Sequence, residues 1–114
     1  MGSSPRPDAA ALSGVVIRHA RAADLSAIVA LERDCYSDPW PASSFTQLPD
    51  NPRVYFAVAD SAAATSIAGY VVAWFVLSEG EVANLAVAPG SRRQGIGSAL
   101  LDAAIEESRI RGVS

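Results

Sequence analysis

The stretch VANLAVAPGSRRQGIGSALLDAAI, residues 82–105, decides the fold. It runs from an apolar, strand-like segment through a loop holding two arginines and three glycines into an amphipathic pattern. A strand that ends in a glycine-rich loop at a helix N-terminus presents several unpaired backbone N–H groups, and the helix dipole adds about half a positive charge there. Such a turn is an anion site. Gly95 and Gly97 let the main chain approach a bulky phosphate where a Cβ would clash, and Arg92 and Arg93 add charge suited to bidentate contact with phosphate oxygens. The expected ligand is a phosphate or diphosphate. A solvated charged turn is the competing reading of the two arginines, and the glycine spacing beside them favours binding.

Working outward, "EVANLAVA" (81–88) is the strand that feeds this loop, and the helix after it covers roughly 97–111. On that helix Asp102, Glu106 and Arg109 make a polar stripe, and Glu107 with Arg111 is a favourable i,i+4 pair. "RVYFAVAD" (53–60) and "IAGYVVAWFVL" (67–77) are rich in β-branched and aromatic residues and read as an antiparallel pair. Both faces of both strands are mostly apolar, so helices should cover the sheet on each side. "VVIRHA" (15–20) is a short first strand, and Leu25, Ile28, Val29 and Leu31 mark a helix with Asp24 in its first turn. Prolines at 39, 41, 49 and 52 confine any second helix to the interval between Pro41 and Leu48. The start, MGSSPRPDAAALSG (1–14), reads as a mobile leader with no signal-peptide pattern. No internal repeat is present.

Composition limits the function. The chain has 114 residues, half of them hydrophobic and 18% charged, which suits one folded domain. A net charge of −3 and no dense basic face argue against nucleic acid as the main partner. All nine basic residues are arginine, which excludes a lysine Schiff base and a P-loop lysine. The single cysteine, Cys35, forms no intrachain disulfide, and Cys35 with the single histidine, His19, is too small a set for zinc, so no metal site is expected. A reducing cytosol is the natural compartment. The apolar run 67–77 is eleven residues long, short of the roughly 20 a membrane-spanning helix needs.

Three phosphate-loop patterns compete. A Walker loop, G-x-x-x-x-G-K-S/T, fits Gly90 and Gly95 but meets Ile96-Gly97 where Lys-Ser/Thr must stand. A dinucleotide fingerprint starting at Gly95 and Gly97 requires a small residue at 100, where the chain has Leu100. The third pattern, Q/R-x-x-G-x-G/A, is met at every fixed position by Arg92-Arg93-Gln94-Gly95-Ile96-Gly97. That loop, the preceding NLAVAPGS, the earlier ALERDCYSDPWPASSF with Asp38-Pro39-Trp40, and SEGEVANLAV together resemble the GNAT superfamily of N-acetyltransferases, RimI type, over about residues 15–112.

The resemblance implies an α+β fold: a mixed, mostly antiparallel sheet flanked by helices on both faces, of which residues 15–114 are the N-terminal and central part and the C-terminal strands are missing. It implies acetyl-CoA as co-substrate. Leu85, Ala86 and Val87 would hydrogen-bond the pantetheine arm, a backbone N–H near Val87 would polarise the thioester carbonyl, and Arg92, Arg93, Gln94, Gly95, Ile96, Gly97 and Ser98 would hold the diphosphate. The acceptor would be a protein N-terminus, with a ribosomal protein as the candidate. The glutamate base and tyrosine acid of RimI-type enzymes are expected beyond Ser114, so no catalytic residue is assigned and little turnover is expected of this chain alone. A coenzyme A-binding module without catalysis and a small-amine acetyltransferase are the alternatives.

Glu79 matches an acidic position of that type and, with Glu81, stands where a substrate amine could approach; solvated loop charges are the plain alternative. Tyr36 is a weaker candidate for substrate contact. Packing is the expected role of Cys35 and of the Tyr70, Trp74 and Phe75 cluster, a surface or structural role that of His19, and a capping turn with a packed indole an equal reading of Asp38-Pro39-Trp40.

Overall fold

The computed structural model describes residues 15–61, 67–76, 79–92 and 95–112. The expected leader (1–14), Arg93 and Gln94 lie outside the described residues. Four strands form one antiparallel sheet in the order β1-β2-β3-β4: β1 Val15–His19, β2 Val54–Ser61, β3 Gly69–Val76 and β4 Glu79–Val87. Helix α1 (Leu25–Cys35) and the single turn α2 (Ser43–Thr46) lie between β1 and β2, and α3 (Ile96–Ile110) follows β4. The α+β class and the antiparallel 53–60 and 67–77 pairing expected from the sequence are observed, with ends shifted by one or two residues. The fourth strand starts at Glu79 rather than 81, because Glu79 and Gly80 pair with Val76 and Phe75 instead of turning away.

Alternation along β2 and β3 sorts two cores onto the two sheet faces. Val54, Phe56 and Val58 with Tyr70 and Val72 pack against Ile28 and Leu31 of α1 and Phe45 of α2. Tyr55, Ala57 and Ala59 with Val71, Ala73 and Phe75 pack against Ile96, Leu100 and Ala104 of α3. The α3 residues are four apart, one stripe on one helix face. The alanines at 57, 59 and 73 present a shallow surface, which lets α3 lie close and bury Leu100 completely. That side chain alone contributes roughly 1.5–3 kcal/mol of transfer free energy. On the opposite face four aromatics cluster, where Phe45 meets Phe56, Tyr70 and Trp40 with ring centroids 6.2, 5.8 and 5.4 Å away.

Gly69 at the start of β3 is required by closeness: a Cβ there would stand 2.7 Å from the Ala86 carbonyl oxygen and 3.1 Å from Leu100 Cδ1. It lets β3, β4 and α3 converge where the loop to α3 departs. At its far end α3 is tied down by Arg111, whose guanidinium bonds Glu107 at 2.7 Å and the Pro52 carbonyl at 2.8 Å and lies 4.7 Å over the Phe75 ring. The expected i,i+4 pair is therefore made, and Arg109 and Glu106 of the polar stripe stand 3.5 Å apart.

Arg18 on β1 joins the sheet to the entry of α1. It makes two bonds to Asp24, at 2.8 and 2.9 Å, and one to Asp60 at 2.9 Å. The bond from Arg18, reinforced by the Arg21 main-chain N–H, holds the Asp24 carboxyl below the usual carboxylate range against the opposing effect of burial. Asp24 closes a short 3-10 turn just ahead of α1, one step before the first-turn position expected.

Candidate functional site

β4 has β3 on one side and no strand on the other among the described residues. Antiparallel pairs alternate between hydrogen-bonded and non-bonded partners. The Ala88 N–H donates to the Ala68 carbonyl, so Ala86, two residues back, also turns its main chain toward β3, while Leu85 and Val87 turn theirs outward. Of the expected trio, Leu85 and Val87 turn their main chain outward and Ala86 turns its own toward β3. Ala86 is buried in the α1-side core and its polar groups are engaged within the sheet.

The outward carbonyls are not bare. Tyr36, just after α1, donates its hydroxyl to the Leu85 carbonyl at 2.5 Å. Arg92 Nε donates to the Val87 carbonyl at 3.2 Å, and the Cys35 thiol faces the same oxygen at 3.6 Å. The second Arg92 nitrogen reaches Cys35 Sγ at 3.4 Å. Such caps keep an open strand edge from recruiting another strand. They occupy acceptors only, and the outward N–H groups of Leu85 and Val87 remain directed into the groove. Burial, then the neighbouring charge of Glu32, pushes the Tyr36 phenol above its ordinary range, so Tyr36 is a donor at neutral pH. Cys35, expected to pack, is half-buried against the α1-side core and makes these polar contacts as well.

The chain passes from Val87 through the 3-10 turn Pro89–Ser91 to α3. Gly95 is the N-cap, with φ 80° and ψ 8° in the left-handed region, and it contributes no side-chain cap. The amides of Ile96, Gly97 and Ser98 therefore point past the cap, and the first intrahelical bond is Ala99 N–H to the Gly95 carbonyl, at 2.9 Å. Ile96 is buried beneath the sheet and Ser98 is exposed. A Cβ on Gly97 would lie 3.5 Å from Val87 Cγ2 and 3.9 Å from Leu85 Cδ2, ordinary contact distances. The protein's own packing does not demand glycine at 97.

Glu79 and Glu81 are not brought to this groove. They are exposed at the opposite end of β4, paired with Val76 and Trp74. At roughly 3.3 Å per residue they stand about 20 and 13 Å along the strand from Leu85. His19 is exposed and meets Tyr55 edge-on at 5.5 Å, in keeping with a structural role.

Sequence reasoning missed the most buried polar cluster. Glu32 of α1 is 2% exposed, and its Oε1 accepts from the Tyr70 hydroxyl and, at 2.7 Å, from Asn84 Nδ2; its Oε2 accepts from the Trp40 main-chain N–H at 2.8 Å. Asn84 Nδ2 also lies 3.0 Å from the Tyr70 oxygen. Burial, then the bond to Glu32, drives the Tyr70 phenol far above its ordinary range. The signal was present: Glu32 stands four after Ile28 and seven after Leu25, on the apolar stripe of α1. At Asp38-Pro39-Trp40 the indole of Trp40 packs on Phe45, as expected, and the Trp40 main-chain N–H donates to Glu32.

The antiparallel sheet thus carries an outward main-chain edge on β4 that leads toward an uncapped, glycine-started helix. Residues 25–114 match the family model described as the acetyltransferase (GNAT) family, and the chain belongs to that family. It is 29% identical over 91 residues to a putative ribosomal protein bS18-alanine N-acetyltransferase of Bacillus subtilis, covering 79% of this chain and 59% of the relative. To the ribosomal protein bS18-alanine N-acetyltransferase of Escherichia coli K12 it is 31% identical, covering 80% and 60%. The chain thus spans about three fifths of the length of these curated relatives. The crystal structure of the Escherichia coli enzyme superposes with a TM-score of 0.78 at 29% identity, covering 88% of this chain and 63% of that one. A Mycobacterium tuberculosis protein crystallised with CoA shares the fold, with a TM-score of 0.75 at 23% identity, covering 86% and 60%. No helix among the described residues is long and apolar enough to cross a membrane, and no group of three or more potential metal ligands occurs among them.

Proposed function

We propose that residues 15–114 are the cofactor-binding part of an acetyl-CoA-dependent N-acetyltransferase whose acceptor is a protein N-terminal amine, as in the relatives named for the alanine of ribosomal protein bS18. The observation that carries this reading is the continuity of the outward β4 edge with the uncapped start of α3. An extended, amide-bearing pantetheine arm pairs with an open strand edge as an added strand does. Here it would accept hydrogen bonds from the Leu85 and Val87 N–H groups, and its diphosphate would sit on the amides of residues 96–98 beside Arg92. Gly97, which the protein's own contacts leave free to carry a Cβ, keeps that passage shallow.

In this reading an outward N–H at Leu85 or Val87 also faces the thioester oxygen, where negative charge develops as the amine attacks. An α-amino group has a pKa near 8, so presenting it neutral at pH 7 costs only about 1.4 kcal/mol. Positioning and oxyanion stabilisation must then supply most of the acceleration. Tyr36, which bridges the end of α1 to Leu85, stands at the side from which the acceptor would enter.

The test is titration of the chain with coenzyme A by calorimetry, beside Arg92→Glu. Saturable binding that Arg92→Glu abolishes is expected. Absence of binding, or unchanged affinity in Arg92→Glu, would overturn the assignment. Transfer to an alanine-initiated peptide in preference to a panel of small amines is the outcome expected of an N-terminal acetyltransferase.

A further inference from the structure

Resting on the proposed function, a second role attaches to a residue outside the ligand edge. We propose that Glu32 is the positioning residue of this groove: its buried carboxylate fastens the loop at Trp40 and strand β4 at Asn84 to the same point, setting the separation of the two walls between which acceptor and thioester would meet.

The carboxylate is almost fully buried, yet no ion pair among the described residues includes it. Burying a carboxylate carries a desolvation cost that a hydrocarbon of similar size would not, so packing alone does not account for one here. What a hydrocarbon could not do is receive three donors. They come from three segments: the Trp40 N–H from the connection after α1, the Tyr70 hydroxyl from β3 and the Asn84 amide from β4. Without Glu32 the Trp40 N–H and the Tyr70 hydroxyl would lose their acceptor and Asn84 would keep only the Tyr70 oxygen, so the segments would separate to find water.

Both walls are held one step from where they are used. Asn84 directly precedes Leu85, the first residue with its main chain turned into the groove, and follows a register irregularity opposite Val72 and Ala73. A bulge of this kind re-aims a strand. The Glu32 bond fixes the new direction by holding Asn84 inward, which leaves Leu85 outward. On the other wall Trp40 ends the short connection from Tyr36, whose hydroxyl spans the groove to the Leu85 carbonyl. Glu32 touches neither proposed ligand, so its effect passes entirely through Asn84, Trp40 and Tyr70.

The experiment compares Glu32→Ala, Glu32→Gln and a control, Ile28→Val, which trims a fully buried side chain one turn earlier on α1 and removes no hydrogen bond of Glu32. Two readouts are taken, amide hydrogen exchange residue by residue and coenzyme A affinity. In Glu32→Ala, exchange at Trp40 and Ala86 should quicken at least about tenfold while Ala57 and Val58 in the middle of β2 change less than about threefold, the mark of a local opening. Coenzyme A affinity should fall about tenfold with it. Glu32→Gln should recover both, because its oxygen can accept from Trp40 while its NH2 donates to Tyr70 and to an Asn84 amide turned over. Ile28→Val should quicken all these amides together.

Wild-type-like exchange at Trp40 and Ala86 in Glu32→Ala would overturn the proposal, and so would a uniform rise like that of the control. Unchanged affinity despite local opening would also overturn it. If the unmodified chain binds no coenzyme A, the ligand reading fails by itself, and the exchange pattern still decides whether Glu32 holds the two walls.

Discussion

The two glycines at the start of α3 should respond to alanine with opposite signs. At Gly95 the backbone is left-handed, with φ 80°. An L-residue there costs roughly 1–2 kcal/mol relative to its preferred regions. The smaller unfolded-state entropy of alanine returns about 0.4–1 kcal/mol. Gly95→Ala should therefore lose about 0.8 kcal/mol, a drop of some 3–6 °C in Tm for a domain of this size. At Gly97 the geometry is helical and a new Cβ finds only ordinary contacts, at 3.5 and 3.9 Å. Alanine is the better helix former by up to about 1 kcal/mol, so Gly97→Ala should hold Tm or raise it by a few degrees. Thermal melts followed by circular dichroism decide the matter, with Gly95→Asn as a third variant because asparagine tolerates the left-handed region. Equal shifts for the two alanine variants would refute the reasoning, as would a Gly95→Asn protein less stable than Gly95→Ala. Coenzyme A affinity measured on the same proteins separates fold from site: Gly95→Ala re-aims the amides of residues 96–98 and should weaken binding beyond any change in stability.

Arg18→Met should lower stability at pH 7 by about 2 kcal/mol, the usual scale of hydrogen bonds to a charged group. Because the folded-state Asp24 carboxyl is held below its ordinary value, the stability it contributes is fully present above about pH 4, the unfolded value, and is lost as pH falls through the lower folded value. Urea melts between pH 2 and 7 should show the wild-type acid limb flattened in Arg18→Met, and parallel curves would contradict the Arg18 to Asp24 assignment. Gly69→Ala forces a Cβ to within 2.7 Å of the Ala86 carbonyl oxygen and should cost about 1–3 kcal/mol as overpacking. A lowered urea midpoint with unchanged slope is the expected record, and a neutral result would show that β3 and β4 can move apart there.

The chain by itself fixed what depends on neighbours in sequence. Alternation in 53–60 and 67–77 placed the two central strands, the prolines at 41 and 49 bracketed α2, and Gly95 and Gly97 marked the start of α3. These are short-range properties, because side-chain period and backbone freedom are set within a few residues. Tertiary structure alone decided which main-chain groups face the groove, since a one-residue change of register exchanges Ala86 for Leu85 and Val87 and only the pairing with β3 selects between them. It also decided the partners of Glu32, Tyr36 and Cys35, which lie 38, 49 and 52 residues away in the chain at Tyr70, Leu85 and Val87. No local pattern encodes such contacts: they form because α1 packs on the apolar face of the sheet to which β4 belongs, and that packing leaves a buried carboxylate only the donors within its reach.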